Sequence, residues 1–152
     1  MNLKIKKEYE VILFDDFRYI TIFEKFNLLI SSDFFLFMRE YPNLTFKGNV
    51  NVNVDGHNYT IFSFIHLLNL IEILTDNVYL EHINYFNLLK EIKILPFCTS
   101  LLPNITYFIG AGKDNLNVIY HYDINQNRIT AIAKDIEDLF NNKIIYDDIE
   151  FG

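Results

Sequence analysis

Between residues 50 and 61 apolar and polar side chains alternate, and this is the clearest structural pattern in the chain. Three valines alternate with two asparagines up to Val54, as in a strand with one buried face. Asp55-Gly56 follows, and this dipeptide suits a two-residue type I′ turn. The segment therefore predicts a β hairpin with one apolar and one polar face. Its expected pairs are Val54 with His57, Asn53 with Asn58, Val52 with Tyr59, Asn51 with Thr60 and Val50 with Ile61.

Apolar residues spaced three and four positions apart predict helices on both sides of this hairpin. The first runs over about residues 15–26, and the second begins after Ser31-Ser32-Asp33. The second ends before Pro42, because proline disfavours helical geometry in the residue that precedes it. A third helix is predicted over Tyr79–Glu91, whereas Ser63–Leu74 suits a helix but also a buried strand. The apolar stripe of the second helix consists of Phe34, Phe37, Met38 and Tyr41.

The C-terminal third of the chain predicts further strands and a second hairpin. Ile105–Ile109 and Val118–Tyr122 have the pattern of strands, and Gly110 and Gly112 permit the chain to turn between them. A loop centred on Asn125-Gln126 leads into another strand. The expected pairs of this second hairpin are Asp123 with Arg128, Tyr122 with Ile129 and Tyr120 with Ala131.

The segments that flank these strands complete the predicted fold. Pro96 and Pro103 predict an irregular connection that carries Cys98. A final helix is expected from a cap at Asp135, with three apolar residues toward the sheet: Ile136, Leu139 and Phe140. Helices and hairpins in this order favour an α+β fold with a mainly antiparallel sheet flanked by helices. At 152 residues, of which 51% are hydrophobic, the chain is expected to form a single domain over residues 1–152.

The charge and the cysteine count narrow the partners and the compartment. Acidic residues outnumber basic ones 20 to 13, which argues against nucleic acid, because its binders neutralise phosphates with Lys and Arg. Cys98 is the only cysteine, so no internal disulfide can form and a reducing, cytoplasmic location is favoured. The first residues do not have the pattern of a signal peptide. The longest apolar run, Ile61–Leu74, is interrupted by polar residues, so no membrane partner is expected.

No group of residues has the spacing of a catalytic, cofactor or metal site. Gly110-Ala-Gly-Lys113 lacks the first glycine and the hydroxyl residue of a phosphate-binding loop, so a plain turn is expected. The histidines form no His-Glu-X-X-His pair; they are His57, His66, His82 and His121. An enzyme that uses Cys98 or a histidine stays open as an alternative, but a structural thiol is the favoured interpretation. The sequence thus predicts no enzyme, no cofactor and no metal ion.

Two segments resemble the SUKH superfamily of protein domains. The C-terminal pattern Ile109-Gly-Ala-Gly112, Val118–Asp123, Arg128–Ala133 and Ile136–Phe140 is similar to the end of those domains, where a small-residue turn, two strands and a helix follow one another. Ser32–Tyr41 resembles their helix with the pattern L-P-x-D-Y-x-x-F-L. The resemblance spans roughly residues 15–142.

This resemblance implies a bacterial immunity protein, which binds and neutralises a cognate toxin, often a nuclease, without catalysis. The acidic balance of the chain fits this expectation independently, because a nuclease that binds phosphate needs a basic groove, although plain solubility is an alternative interpretation of the same charge. The partner is therefore expected to be a basic toxin protein, met through acidic and aromatic side chains. An unrelated small binding module, such as a regulatory subunit or a phage-encoded inhibitor, is the alternative. The acidic residues expected at the contact are Asp114, Asp123, Asp135, Glu137, Asp138, Asp147, Asp148 and Glu150.

Overall fold

The computed structural model describes residues 27–40, 50–61, 63–64, 88 and 91–146. The elements of these residues are helix α1 (Ser32–Glu40), strands β1 (Val50–Val54), β2 (His57–Thr60), β3 (Ile94–Thr99), β4 (Ile105–Gly110), β5 (Ile119–Asp123) and β6 (Arg128–Ala133), helix α2 (Ile136–Asp138) with a π-helical continuation (Leu139–Lys143), and strand β7 (Ile144–Tyr146). The strands form two antiparallel sheets in the orders β2-β1-β7 and β3-β4-β5-β6. Antiparallel sheets combined with helices confirm the predicted α+β class.

The first hairpin has the predicted register. β1 and β2 pair Val54 with His57 and continue in step to Asn51 and Thr60. Asp55 and Gly56 have φ angles of 52° and 87°, and a type I′ turn requires positive values at both central positions. All three valines of β1 are buried, as the alternation of the sequence indicates. Beyond the strand ends, the Ile61 amide donates to the Val50 carbonyl at 2.8 Å, and this contact extends the predicted pairing by one residue.

The second hairpin also has the predicted register. β5 and β6 pair Asp123 with Arg128, Tyr122 with Ile129 and Tyr120 with Ala131. β4 pairs with the other edge of β5, from Ile105 opposite Asp123 to Ile109 opposite Ile119. The position of the loop centred on Asn125-Gln126 set this register, because Asp123 and Arg128 form the pair that closes it.

The connection predicted around Cys98 is a buried strand, and that prediction was wrong. β3 includes Pro96 and pairs with β4 along its whole length. The pairing shifts between Pro96 and Cys98, which leaves Phe97 as the extra residue of a bulge. Proline is tolerated in a strand at a bulge, because a ladder hydrogen bond is already missing there. Cys98 belongs to the core and not to a loop.

Helix α1 packs its aromatic side chains against the bulged strand and the C-terminal helix. The Ser31 hydroxyl accepts a hydrogen bond from the Phe34 amide at 3.1 Å, which caps the helix at the predicted place. The Phe37 ring lies 5.3 Å from Phe64, 5.6 Å from Phe97 and 5.5 Å from Phe140, between ring centroids. One hydrophobic cluster thereby joins the helices to both sheets.

The residues after β2 bring the two sheets together. Phe64 forms an isolated antiparallel bridge with Cys98, and the Thr99 amide donates to the Ser63 carbonyl at 2.8 Å. Of the segment predicted as helix or strand, these two residues are extended, and Leu88, Glu91 and Ile92 are helical at the end of the third predicted helix. The helix predicted over residues 15–26 and the remainder of residues 65–87 lie outside the described residues. Within the described part of the chain, no helix is both long enough and apolar enough to cross a membrane.

Candidate functional site

A cavity of about 620 Å³ opens between the two hairpins, where the β1–β2 turn faces β5 and β6. Its volume lies within the range of small-ligand sites, roughly 300–1,000 Å³. The residues that line the cavity are positioned by the two hairpins, because each turn follows a strand that packs against the core. The polar residues that line the cavity are Asp55, His57, Asn58, Tyr59, His121, Asp123, Gln126, Arg128 and Thr130.

His121 is the most deeply buried of these residues, with 3% of its surface exposed. Its ring contacts Tyr59 at 4.4 Å and Tyr107 at 5.5 Å between centroids. Among the described residues its Nε2 is buried without a hydrogen-bond partner. Burial lowers the pKa of His121, and the negative charges of Asp123 and Asp55 oppose that shift without cancelling it. The imidazole is therefore neutral at pH 7.

Asp123 joins the cavity to the β5–β6 turn. Its Oδ1 accepts hydrogen bonds from the backbone amides of Asn125 and Gln126, at 3.0 and 3.3 Å, and from the Asn104 side chain at 3.3 Å. The carboxylate thus satisfies turn amides that would otherwise lack partners. Asp123 is buried and sits beside His121 in the cavity wall, so it shapes the site from within.

An ion pair at the cavity rim links the two hairpins. The Arg128 guanidinium lies 2.8 Å from Oδ2 of Asp55, and the two side chains are 62% and 54% exposed. A pair so open to water contributes little to stability, between about 0 and 1 kcal/mol. The contact nevertheless places a guanidinium group against a carboxylate at this rim.

Apolar side chains project into solvent beside the cavity. Leu101 and Leu102 are 59% and 47% exposed in the β3–β4 loop, and Ile124 is 47% exposed in the β5–β6 turn. The two loops are tied together, because the Ile124 amide donates to the Asn104 carbonyl at 2.9 Å. We call these three side chains the apolar tip. Apolar tips beside a concave polar site are typical of surfaces that bind other molecules.

The structure divides the predicted acidic contact residues between two ends of the four-stranded sheet. Asp123 lies at the end of β5 that borders the cavity, whereas Asp114 and Asp135 lie at the opposite end, about 14 Å away along the strand. Glu137 and Asp138 follow Asp135 in α2. Asp147, Asp148 and Glu150 lie outside the described residues.

The far end of the sheet carries basic as well as acidic residues. Lys93, Lys113, Lys134 and Lys143 belong, among the described residues, to the same end as Asp114 and Asp135. A hydrogen bond from Asn142 is the main cause that lowers the pKa of Asp138, and a backbone bond from Lys134 and the charges of Lys143 and Lys134 add to it. This part of the predicted surface is therefore mixed in charge.

Two of these acids have a structural task. Oδ1 of Asp135 accepts a hydrogen bond from the Asp138 amide at 2.7 Å, which caps α2 as the sequence predicts. Asp138 in turn accepts from the Lys134 amide at 3.1 Å and from the Asn142 side chain at 2.8 Å. Asp114 is exposed in the β4–β5 loop.

Of the residues considered for catalysis, Cys98 lies in the core and His57 lies exposed in β2, whereas His66 and His82 lie outside the described residues. Burial raises the pKa of the Cys98 thiol, which keeps it in the weakly nucleophilic neutral form. The Gly110–Lys113 segment closes around Asn115, whose side chain accepts from the Gly112 amide at 2.9 Å and donates to the Ile92 carbonyl at 2.9 Å. Within the described residues, no three His, Cys, Asp or Glu side chains are arranged to hold a metal ion.

Most of the cavity residues were not singled out from the sequence. His57, Tyr59 and Arg128 are unremarkable strand residues when each hairpin is considered alone, and only the contact between hairpins unites them. The available signal was an aspartate in the first predicted turn, Asp55, and another directly before the second, Asp123. Comparison with protein-family models, curated proteins and solved structures finds no match for this chain.

Proposed function

We propose that the protein is a non-catalytic immunity protein that acts in the cytoplasm by binding a basic toxin and covering its working surface. The resemblance to SUKH domains supports the proposal, as do the net charge of −7 and the antiparallel α+β fold. The observation that carries it is the apolar tip beside the cavity, formed by Leu101, Leu102 and Ile124.

The apolar tip would supply binding energy that charge alone does not. Burying the exposed half of one such side chain contributes about 1 kcal/mol, since a whole aliphatic side chain contributes about 1.5–3 kcal/mol. A few residues commonly supply most of the binding energy of an interface, and Tyr and Arg are frequent among them. Tyr59 and the Asp55–Arg128 pair lie next to the tip, and they add aromatic and charged groups that could fix orientation.

The acidic balance would act at longer range. A net charge of −7 attracts a basic partner before contact and repels acidic competitors. This role does not require a uniform acidic patch, and it is compatible with the mixed charge of the far end of the sheet. Steering by total charge and anchoring by the apolar tip are separate contributions, so they can be separated by mutation.

Co-expression with the product of the adjacent upstream gene tests the proposal, with growth rescue and co-purification as readouts. The double variant Leu101→Ser/Leu102→Ser and the single variant Ile124→Ser should weaken the complex and reduce protection, the double variant more than the single one. Leu116→Ser is the matched control, because Leu116 is also an exposed apolar side chain but lies in the β4–β5 loop at the other end. If the parent protein gives no growth rescue and forms no stable complex, the proposal is overturned.

The proposal that the protein acts without catalysis can be tested separately. Cys98→Ala and His57→Ala remove the thiol and the exposed imidazole that an enzyme could use. Protection should persist in both variants, provided that circular dichroism shows native folding. Loss of protection by a folded variant that still binds the toxin would point instead to an enzyme.

A further inference from the structure

The cavity between the hairpins has an excess of negative charge. Asp55 and Asp123 line it as carboxylates, and Arg128 is the fixed positive group among the described lining residues. Both carboxylates line the same cavity as His121, so their fields converge on the same region. The buried imidazole itself brings no charge at neutral pH. A positively charged ligand would therefore balance the negative charge of the lining.

At the rim of the cavity, a carboxylate already binds a positive group of the chain itself. Arg128 holds its guanidinium 2.8 Å from Asp55, and the exposure of both side chains makes the pair weak enough to exchange for another cation. Asp123 uses Oδ1 for the turn, and in the described part of the chain its Oδ2 accepts no hydrogen bond. One carboxylate oxygen beside the cavity is thus available to a ligand.

Tyr59 adds an aromatic surface to these carboxylates. It lies in β2, lines the cavity and contacts the His121 ring at 4.4 Å between centroids. Ammonium and guanidinium groups bind aromatic faces as well as carboxylates, and the two contributions combine when the site is partly shielded from water. A cavity of about 620 Å³ also has room for a long basic side chain with its stem.

We infer that this cavity binds an organic cation, an ammonium or guanidinium group, between Asp55, Asp123 and the Tyr59 ring. A basic side chain of the toxin is one source, and in that form the inference rests on the proposed function. A free amine such as a polyamine is the other. The shared chemistry is a positive group on a flexible stem, and it can be measured on the isolated chain.

The inference is tested by titrating the purified full chain with Nα-acetyl-arginine amide and with spermidine. Binding is monitored by the backbone NMR chemical shifts. Either cation should shift the amides of Gly56, Tyr59 and Thr130, with a dissociation constant on the order of millimolar for so small a ligand. Nα-acetyl-citrulline amide is the matched neutral ligand and should leave these amides unmoved. A much stronger response to spermidine would identify a free polyamine as the ligand, and a response to arginine alone would identify a side chain.

Two substitutions at the rim should act in opposite directions. Asp55→Asn removes a carboxylate while keeping a residue that suits the turn, and it should weaken cation binding about two- to fivefold. Arg128→Gln removes the competing guanidinium and should strengthen binding by a similar factor, about two- to fivefold. Asp114→Asn changes the total charge equally at the far end of the sheet and should have no effect.

Failure of this inference can be told apart from failure of the proposed function. Absence of shifts with both cations, or binding of inorganic phosphate that Arg128→Gln abolishes, would overturn the cation site whatever the partner does. Cation binding by a protein that gives no rescue and no complex would leave the site standing and remove the immunity function.

Discussion

The imidazole of His121 lies in the core with its Nε2 unpartnered among the described residues, and this makes the stability of the protein sensitive to acid. Burial lowers its pKa below the ordinary value of 6.5, so the folded state resists protonation more than the unfolded chain does. The unfolded state then binds more protons below about pH 6.5. Stability should therefore be full above that pH and should fall as the pH drops through the lower pKa of the folded state.

Replacement of His121 by Phe should flatten this dependence. The variant keeps an aromatic ring against Tyr59 and Tyr107 but has no group to protonate. Urea unfolding at pH 7.5 and pH 5.5 measures the difference in midpoint between parent and variant. Tyr107→Phe is the control, because it loses the hydrogen bond to the Thr60 carbonyl but keeps the imidazole of His121. Its loss of stability relative to the parent protein should therefore be equal at both pH values. An unchanged pH profile in His121→Phe would contradict the assignment.

Gly110 is required because the backbone of Asn115 passes directly over it. A Cβ added at Gly110 would collide with the carbonyl of Asn115, whereas one added at Gly112 would meet side-chain atoms of Asn115 and Lys93 at 2.8 and 3.0 Å. Gly110→Ala should destabilise the fold by about 1–3 kcal/mol, as overpacking commonly does. Gly112→Ala should cost less, because side chains yield more readily than backbone. Chemical denaturation compares the two, and equal losses would contradict this account.

At the scale of elements, we expect Asp135 to contribute to the stability of the fold, and we expect no such contribution from Asp114. Asp135 caps α2 by accepting the Asp138 amide, so Asp135→Ala should cost about 1 kcal/mol. For a chain of this size that loss lowers Tm by roughly 2–4 °C. Asp114→Ala removes the same charge from an exposed loop and should leave Tm unchanged. Thermal melts followed by circular dichroism measure both, and equal Tm values would remove the cap from this account.

The elements that the sequence predicts correctly are those whose signals are local. Asp55-Gly56 specifies its turn and therefore the register of β1 and β2 within about ten residues of chain. Pro96 shows where local reasoning fails, because its effect depends on the partner strand. The bulge at Phe97 makes room for the proline only once β4 is alongside.

At the scale of the whole molecule, the candidate site arises from the contact between two hairpins. The registers of both hairpins are predictable, but the angle at which one faces the other depends on long-range packing through Tyr59 and His121. Asp123 illustrates the consequence. Its place at a turn is evident in the sequence, whereas its burial and its place in one cavity with Asp55 become visible only in the folded chain.

Binding of the toxin should show charge and apolar contacts in different rate constants. With the complex recovered by co-expression, we expect the association rate constant to fall about tenfold or more from low to high salt, because the attraction exerted by a net charge of −7 is screened. The dissociation rate constant should change little with salt, since the apolar tip holds the complex once it has formed.

Leu102→Ser should give the converse result, with faster dissociation and an association rate close to that of the parent protein. Asp114→Asn is the matched control, because it alters charge far from the apolar tip and should lower the association rate slightly without affecting dissociation. Surface plasmon resonance at several salt concentrations measures both constants. If salt acted mainly on dissociation, the acids would lie inside the contact, and the apolar tip would no longer explain how the complex is held. Because the two constants report on separate surfaces of the same molecule, this measurement decides between steering by total charge and direct blockade by acidic side chains.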